Sequence, residues 1–380
     1  MRGPHNILRL IRTGATLERT GAMPVILNAL DAPRTLKFAA RFIVWPFQFL
    51  GRRGDQSLPP APRALTAMGP AYIKFGQILS TRPDVVGPEL AEQLRVLQDR
   101  LPPFSTGVAK QSFKSEIGLD ADDVFSDFSE PVAAASIAQV HRGELKDTGQ
   151  SVAIKVLRPE IERAFQKDLD TFYFAARLVE FVSPKSRRLR PMDVIAHFDG
   201  VVRGELDLRL ESASASEFLA NIKEDKGFSV PSVNWSLSSR RVMTLDWADG
   251  VPMGDVDALA AAGHNLSELG DRVLHMFLNH ALRDGFFHAD MHQGNLKVSS
   301  SGDIVAFDFG IMGHIDEYTR RVYAEILFGF IKRDYKRVAQ VHFEAGYVPQ
   351  DQDVDEFARA LRAVGEPIFG MDASNISMGR

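Results

Sequence analysis

Residues 288–310, HADMHQGNLKVSSSGDIVAFDFG, constrain the fold more than any other segment of the chain. They place Asp290 and Asn295 in an Asp-x4-Asn spacing, and then Asp308 in Asp-Phe-Gly directly after the apolar run 304–307. A carboxylate and an amide on neighbouring turns can share a hard cation, because Mg²⁺ prefers oxygen ligands. We therefore predict a metal site formed by Asn295 and Asp308.

Asp290 should have a different role from the two residues assigned to the metal. Phosphoryl-transfer sites of the protein-kinase type use one Asp to orient the nucleophile, and an Asn and a second Asp to hold Mg²⁺. Each motif alone is a weak signal, because an Asp before Phe-Gly is commonly a turn residue after a strand. The order of the motifs predicts that Asp290 orients the nucleophile of a phosphoryl transfer.

A second part of such a site is predicted upstream, in residues 151–157, SVAIKVL. Val152, Ile154 and Val156 recur with a period of two, which predicts a β-strand. Lys155 then has two interpretations. It either protects an exposed edge strand from pairing, or it contacts the phosphates of ATP and pairs with a Glu on a helix.

The acidic partner of Lys155 should lie further along the chain. Residues 203–218, RGELDLRLESASASEF, predict a helix that carries Glu205, Asp207 and Glu211. Asp207 and Glu211 are i, i+4 neighbours, and like charges at this spacing are mildly destabilising unless solvent or a cation lies between them. We favour Glu211 as the partner of Lys155, and Glu205 is the alternative.

No G-x-G-x-x-G precedes the Lys155 strand, and residues 133–141, AAASIAQVH, stand in its place. A Gly-rich loop lets the backbone approach phosphates closely, whereas Ala carries a Cβ and resists positive φ. Pro131 before the segment and residues 139–143 after it predict two strand ends around a turn. The alternative is a helix, because Ala-rich runs are good helix formers.

Residues 66–80, TAMGPAYIKFGQILS, predict one amphipathic helix. Its apolar stripe comprises Leu65, Met68, Tyr72, Phe75 and Leu79. Lys74 and Gln77 lie three residues apart on roughly the opposite face. Taken alone, this pattern is typical of a packed helix with a solvated Lys and Gln.

Together these motifs resemble those of the UbiB family, which are atypical protein-kinase-like proteins linked to ubiquinone biosynthesis. The matching motifs are K-x-G-Q at 74–77, the Ala-rich loop at 133–141, VAIK at 152–155, E-x-D at 205–207, HAD-x4-N at 288–295 and DFG at 308–310. The resemblance covers roughly residues 60–330. Met291 and Gln293 stand where the family usually has prolines, and neither is a predicted metal ligand.

The resemblance implies a two-lobed, protein-kinase-like α+β fold with an N-terminal helical extension, and ATP with Mg²⁺ as cofactors. It implies that Lys74 and Gln77, with Glu205 or Asp207, reach over the site and restrict it. The residues expected to contact the nucleotide are Ala133, Ala134, Ala135, Ser136, Ile137, Ala138, Gln139, Val140, Lys155, Asp246, Trp247, Ala248 and Asn295. Within this set, Asp246–Ala248 follow the last predicted strand of the small lobe and would present backbone to adenine.

The sequence predicts four consecutive parts. These are a basic and apolar segment at 1–61, a helical extension with the K-x-G-Q motif at 62–125, a kinase-like small lobe at 126–250 and a helical large lobe at 251–380. After DFG the chain enters a helical pattern almost at once, with no A-P-E and no long activation segment. A platform for protein substrates would be expected there, so an ordinary protein kinase is disfavoured.

Composition limits the partners and the location. The net charge is −4 and there are no cysteines, which argues against nucleic acid and against disulfides or Cys-ligated zinc. Residues 34–53 combine large aromatics with five basic residues. They are either a helix packed on the core or an interfacial anchor on anionic lipid. The resemblance favours the anchor, and it implies C-terminal membrane segments beyond this chain.

We therefore expect an atypical kinase-like ATPase that supports ubiquinone biosynthesis at the cytoplasmic side of the inner membrane. Two alternatives stay open: a true kinase for a small molecule, lipid or protein, and a nucleotide-switched lipid-binding chaperone. The expected partners are ATP, a membrane lipid or hydrophobic quinone precursor, and proteins of ubiquinone biosynthesis.

Overall fold

The computed structural model describes residues 4–29, 33–98, 103–182 and 190–368. Helices dominate the first part of the chain and its end, and strands lie mainly in the middle. This mixture confirms the predicted α+β class and the predicted helical extension at the front.

Two compact units make up the chain. The first comprises Met1–Ala213 and Ser232–Trp247, and the second comprises Ser214–Pro231 and Ala248–Arg380. The helical extension therefore groups with the sheet of the first unit. Residues 214–231, which the sequence pattern assigns to the small lobe, group with the second unit.

The α-helices of the described residues are α1 Pro4–Arg19, α2 Ala22–Ala29, α3 Arg34–Val44, α4 Pro60–Met68, α5 Pro70–Ser80, α6 Pro83–Val86, α7 Pro88–Arg95, α8 Thr106–Ile117, α9 Ala121–Val124, α10 Ile161–Val182, α11 Pro191–Glu205, α12 Leu208–Asn221, α13 Val256–Ala261, α14 Leu266–Asn279, α15 Glu317–Lys332, α16 Tyr335–Glu344 and α17 Val354–Gly365. Short 3₁₀ segments include Trp45–Leu50, Val96–Gln98 and Gln293–Asn295. No helix in this part of the chain is long and apolar enough to cross a membrane.

The strands are β1 Phe125–Ala134, β2 Ala138–Leu145, β3 Ser151–Leu157, β4 Phe228–Ser229, β5 Val242–Asp246, β6 Val251–Pro252, β7 Phe286–His288, β8 Leu296–Val298, β9 Ile304–Ala306 and β10 Met312–His314. In the first unit they form an antiparallel sheet in the order β1-β2-β3-β5. In the second unit they form a sheet in the order β4-β9-β8-β6 and a separate β7–β10 pair.

The predicted single helix over residues 66–80 is wrong, because the chain breaks between α4 and α5. Gly69 has a φ of 127°, a conformation that side chains with a Cβ rarely adopt. Pro70 occupies the first turn of α5, where its missing N–H is tolerated, and it disfavours helical backbone in the residue before it.

The sheet of the first unit has one face in the core. Val152, Ile154 and Val156 of β3 are almost fully buried in a cluster with Phe113 of α8. Since side chains alternate across a strand, Lys155 lies on the opposite face. β3 pairs with β2 on one side and with β5 on the other. The edge-strand interpretation of Lys155 is therefore wrong.

Candidate functional site

Lys155 forms a short ion pair with Glu211 within the first unit. Lys155 Nζ lies 2.6 Å from Glu211 Oε1, and the two side chains are 19% and 10% exposed. Lys155 sits between Val140 and Met243 in the ladder, so its backbone is fixed from both sides. The geometry therefore selects Glu211 over Glu205 as the acidic partner.

Glu205 and Glu211 lie on different helices, so the predicted continuous helix over 203–218 is wrong. α11 ends at Glu205, and α12 begins three residues later. Asp207 lies in the break, and its Oδ1 accepts a hydrogen bond from Arg209 N at 3.2 Å. An Asp that accepts from the backbone at this position caps the new helix. Its carboxylate also pairs with the Arg209 guanidinium, which lowers the pKa of Asp207.

Lys74 pairs with Glu205. Lys74 Nζ lies 2.6 Å from Glu205 Oε1, with side-chain exposures of 16% and 10%. That oxygen is buried and has no hydrogen bond of good geometry, so the contact is purely ionic. α5 packs on α10 and α11 through three aromatic rings: Phe75 of α5, Phe172 of α10 and Phe198 of α11. Their centroids lie 5.2 to 5.9 Å apart. This packing fixes the position of Lys74 beside Glu205.

The other two residues of K-x-G-Q hold the helical extension together. A Cβ on Gly76 would approach Leu65 Cδ1 and Leu97 Cδ1 to 2.5 Å, so only glycine permits this packing. Gln77 Nε2 donates to Leu97 O at 2.7 Å. The amide nitrogen of Gln77 thus has an internal partner, and the place of Gln77 over the site beside Lys74 stays a prediction.

The Ala-rich segment is a β-hairpin turn, as one of the two sequence interpretations predicts, and the helix alternative is wrong. Ala133 and Ala134 end β1, and Ala138 begins β2. The turn is closed by Ala135 N donating to Ala138 O at 2.8 Å. Arg158 donates from Nε and Nη2 to Ala135 O at 3.1 and 3.0 Å, so the tip of the turn is held by a guanidinium.

The residues of the turn and the start of β2 are largely buried. Ser136, Ile137 and Ala138 are buried, and Val140 is partly exposed on β2. Gln139 is fully buried and exchanges two hydrogen bonds with the backbone of Phe104, at 3.0 and 3.1 Å. Its amide is therefore used internally, and its role as a nucleotide contact stays a prediction.

Gln139 also fixes the protonation of a buried histidine. Its Nε2 donates to His141 Nε2 at 2.8 Å, so that ring nitrogen accepts and His141 Nδ1 donates to Ser129 O, also at 2.8 Å. Burial lowers the pKa of His141, although the Ser129 carbonyl and Glu130 act in the opposite direction. A neutral ring with a proton on Nδ1 satisfies both contacts.

The predicted adenine-binding backbone comprises Asp246, the last residue of β5, and the two residues after it. Asp246 N donates to Ser232 O and Trp247 N donates to Ser151 O, both at 3.0 Å. In the second unit, Ala248 O accepts from Lys297 Nζ at 2.7 Å. Several backbone groups that were predicted to face adenine therefore already have internal partners.

The second unit brings Asn295 and Asp308 to the same end of a hairpin. β8 and β9 are antiparallel, with Leu296 opposite Ala306. The residue before β8 and the residues after β9 therefore lie side by side, and Phe307 N donates to Asn295 O at 3.3 Å. The sheet register thus positions both predicted metal ligands.

Asp290 lies in the loop that leads into this hairpin, and its side chain is 48% exposed. Asn295 Nδ2 donates to Asp290 O at 3.0 Å, which ties the loop closed. Since that contact uses the amide nitrogen, Asn295 presents its oxygen as the remaining side-chain group. His292 Nε2 lies 3.7 Å from Asp290 Oδ2.

His288 joins the Asp290 loop to the DFG segment. Its Nδ1 accepts from Asp290 N at 3.2 Å, and its Nε2 donates to Asp308 O at 2.6 Å. The ring is 3% exposed, and burial lowers its pKa although the contacts with Asp308 raise it. Phe309 is buried beside it against Phe218, with ring centroids 5.9 Å apart.

The oxygen ligands present fit a magnesium ion that arrives with a nucleotide. Asp308 Oδ1 accepts from Gly310 N at 3.0 Å, which shapes the turn and orients the carboxylate. Within the described ranges no three His, Asp or Glu side chains cluster to hold a metal by themselves. Mg²⁺ is commonly held by one or two protein groups together with phosphate oxygens and water. Asn295 and Asp308 match that donor set.

Two residues, one in each unit, contact predicted site residues without a role predicted from the sequence. His288 is the first residue of the HAD motif. The sequence signal for its role was its position at the end of a short apolar strand, immediately before Ala289 and Asp290. Arg158 directly follows β3, three residues after Lys155, and resembles a solvated surface charge. Its bond to Ala135 depends on the fold, so no local pattern predicts it.

The chain is similar to several known proteins. Residues 96–342 match the family model of the ABC1 atypical kinase-like domain. The chain is 42% identical to the probable protein kinase UbiB of Aeromonas salmonicida (strain A449), over 90% of this chain and 65% of the relative. It is 40% identical to the protein of the same name from Marinobacter nauticus, over 83% and 58%. The chain thus spans about three fifths of the length of these relatives.

One solved structure is similar over most of the chain. It is the complex of Rv3197 with erythromycin from Mycobacterium tuberculosis, with a TM-score of 0.55 and 25% identity. The similarity covers 79% of this chain and 76% of that one.

Proposed function

Since the chain belongs to the ABC1 atypical kinase-like family, in agreement with its resemblance to UbiB proteins, we propose that it binds Mg-ATP and hydrolyses it in support of ubiquinone biosynthesis. The observation that carries this proposal is the Lys155–Glu211 pair. Kinase-like sites need a lysine that is oriented by a helix glutamate, because its charge must be aimed at the phosphates.

The second unit carries the residues predicted to hold the metal and to orient the nucleophile. Asn295 and Asp308 would hold Mg²⁺, which when bound neutralises charge on the phosphate oxygens. Asp290 would accept a hydrogen bond from the attacking water or hydroxyl and so orient it. His288 would keep the Asp290 and Asp308 backbones in register through its two ring nitrogens.

The segment after DFG favours hydrolysis over transfer to a protein. The β10 strand leads directly to α15, which begins at Glu317 with Asp316 as its cap. An activation segment that could bind a protein substrate therefore has no room between Gly310 and Glu317. Transfer to a small acceptor and a nucleotide-driven switch stay as alternatives.

We further propose that residues 34–53 bind a lipid surface. In α3 and the following 3₁₀ turn, large side chains are strongly exposed: Phe38, Phe42, Ile43, Trp45 and Phe49. Basic residues flank or interrupt them. Exposed aromatics with neighbouring cations suit the interface of an anionic bilayer. This would place the protein where a hydrophobic quinone precursor is found, at the cytoplasmic side of the inner membrane.

Incubation with γ-labelled ATP and Mg²⁺, with and without lipid vesicles, tests the reaction. Free labelled phosphate is expected; a labelled acceptor would indicate a kinase, and nucleotide binding without turnover would indicate a switch. Asp308→Asn should weaken Mg-ATP binding and abolish turnover. Asp257→Asn, an exposed change on α13, is the matched control. Wild-type turnover in the Asp308 variant would contradict the assignment.

A further inference from the structure

A second candidate site lies among α1, α5 and α10 of the first unit, and Lys155 does not line it. An open cavity of about 420 Å³ is formed by α1, the start of α5 and the first turns of α10. None of the groups assigned above to nucleotide or metal lines it.

The charge of the cavity lining is strongly positive. The four cations that line it are Arg9, Arg12, Arg52 and Lys167, and the only carboxylate among the lining residues is Asp168. None of the four cations has a carboxylate within 4.0 Å in the part of the chain that the structure describes. Clustered cations without a paired anion repel one another, so an anion bound among them would be stabilised.

Two of the cations are held in place by the backbone. Arg9 Nη1 donates to Lys167 O at 2.9 Å, and Arg52 Nη1 donates to Ala67 O. These bonds use one nitrogen of each guanidinium and keep the side chains ordered at the cavity. Arg12 and Lys167, in contrast, make no side-chain hydrogen bond within the described ranges, so their charges remain for a ligand.

The lining also carries four hydroxyl groups. Thr13 Oγ1 and Tyr72 Oη lie 3.0 Å apart. Thr16 and Thr171 already donate their hydroxyl protons to Arg12 O and Lys167 O, at 2.8 and 3.2 Å, so toward a ligand they can only accept. Burial raises the pKa of Tyr72 to about 12, so its hydroxyl stays protonated. Burial also raises the pKa of Asp168 to about 6, against the opposing effect of Arg9, Arg52 and Lys167.

We propose that this cavity binds a phosphate group that carries a neighbouring hydroxyl. Guanidinium groups recognise phosphate oxygens with paired N–H donors. The carboxylate of Asp168, which also lines the cavity, would repel a second anionic group beside the phosphate. It can instead accept a hydrogen bond from a hydroxyl group of the ligand. A glycerol phosphate unit has this chemistry, either as a free monoester or as the diester of a phospholipid head group.

The test measures binding of soluble probes by calorimetry and thermal shift, without ATP or Mg²⁺. The probes are inorganic phosphate, glycerol 3-phosphate as the monoester, and glycerophosphoglycerol as the diester. Arg12→Gln/Lys167→Gln removes the two cations that make no internal bond, so the fold should be kept. Arg163→Gln/Arg177→Gln, two exposed residues of α10 outside the cavity, lowers the charge equally and is the matched control.

We expect at least one glycerol-containing probe to bind wild type and control alike, and about tenfold more weakly to Arg12→Gln/Lys167→Gln, a change of about 1.4 kcal/mol. Binding of the monoester alone would identify a soluble phosphate, and binding of the diester would identify a head group. Both outcomes support the site. No binding of any glycerol-containing probe, or equal binding to variant and wild type, would overturn it. Phosphate bound at Lys155 would survive the double change, so failure of this site leaves the nucleotide proposal standing.

Discussion

Replacing Lys74 with Met should destabilise the first unit by leaving Glu205 without its counter-charge. At 2.6 Å and an effective dielectric constant of about 20, the attraction is about 6 kcal/mol before desolvation is subtracted. Loss of one partner costs about 3 to 5 kcal/mol for a buried pair and at most about 1 kcal/mol for an exposed one. Exposures of 16% and 10% place this pair nearer the buried limit. We therefore expect about 2 to 3 kcal/mol.

The assay is a double-mutant cycle read by thermal denaturation. Lys74→Met and Glu205→Met should each lower the melting temperature by about 5 to 10 °C, given about 2 to 4 °C per kcal/mol for a unit of this size. The combined variant should lose no more than either single variant, because no unpaired charge remains. Lys114→Met breaks the exposed Lys114–Asp120 pair and should leave the melting temperature nearly unchanged. Strictly additive losses would refute the reasoning.

Four further outcomes are expected. Gly76→Ala should cost about 1 to 3 kcal/mol in urea denaturation, since the new Cβ overlaps two leucine methyl groups; an unchanged midpoint would contradict the packing argument. Trp45→Ser/Phe49→Ser should reduce co-sedimentation with anionic vesicles without changing ATP affinity, and unaltered sedimentation would exclude this segment as the anchor. Ala134→Gly should change the ratio of ATP to ADP affinity, because glycine permits positive φ and a closer approach to phosphates; equal affinities in variant and wild type would argue against that role. Burial lowers the pKa of three histidines, so the unfolded chain protonates first as the pH falls. The free energy of unfolding should not depend on these groups above about pH 7. Below about pH 6.5 it should decrease, by up to about 1.4 kcal/mol per pH unit for each ring. Denaturation midpoints that stay constant from pH 7.5 to 5.5 would refute this. The three are His141, His280 and His288.

Periodicity and turn chemistry were sufficient for the parts of the fold that depend on local sequence. The strand around Lys155 and the turn at Ala135 follow from alternation and from flanking residues, and the structure has both. The two broken helices also had local signals: Gly69-Pro70 in one, and Asp207 as a cap in the other. These signals were outweighed by the apolar stripe over residues 65–79 and by the acidic residues at 205–211. Both patterns continue across the helix break, so they predict one helix where there are two.

Contacts that depend on distant parts of the chain could not be predicted in the same way. Glu211 rather than Glu205 pairs with Lys155 because a new helix begins between the two glutamates. The start of that helix depends on Asp207 and on the hydrogen bond from Leu208 N to Arg240 O. The use of Gln139 by Phe104 joins residues 35 positions apart. Side chains with several possible partners are assigned only when tertiary packing brings one partner within reach.

The guanidinium of Arg158 gives the alanine turn a thermodynamic property that a glycine loop does not have. A loop that becomes ordered only around its ligand loses conformational entropy at the moment of binding. Here the carbonyl of Ala135 is already bonded from two nitrogens, and alanine restricts the backbone in the unfolded chain as well. The ordering cost therefore falls on folding rather than on association. A ligand that binds against this turn should therefore lose little conformational entropy of the loop. Its affinity should depend little on any closing motion of the loop.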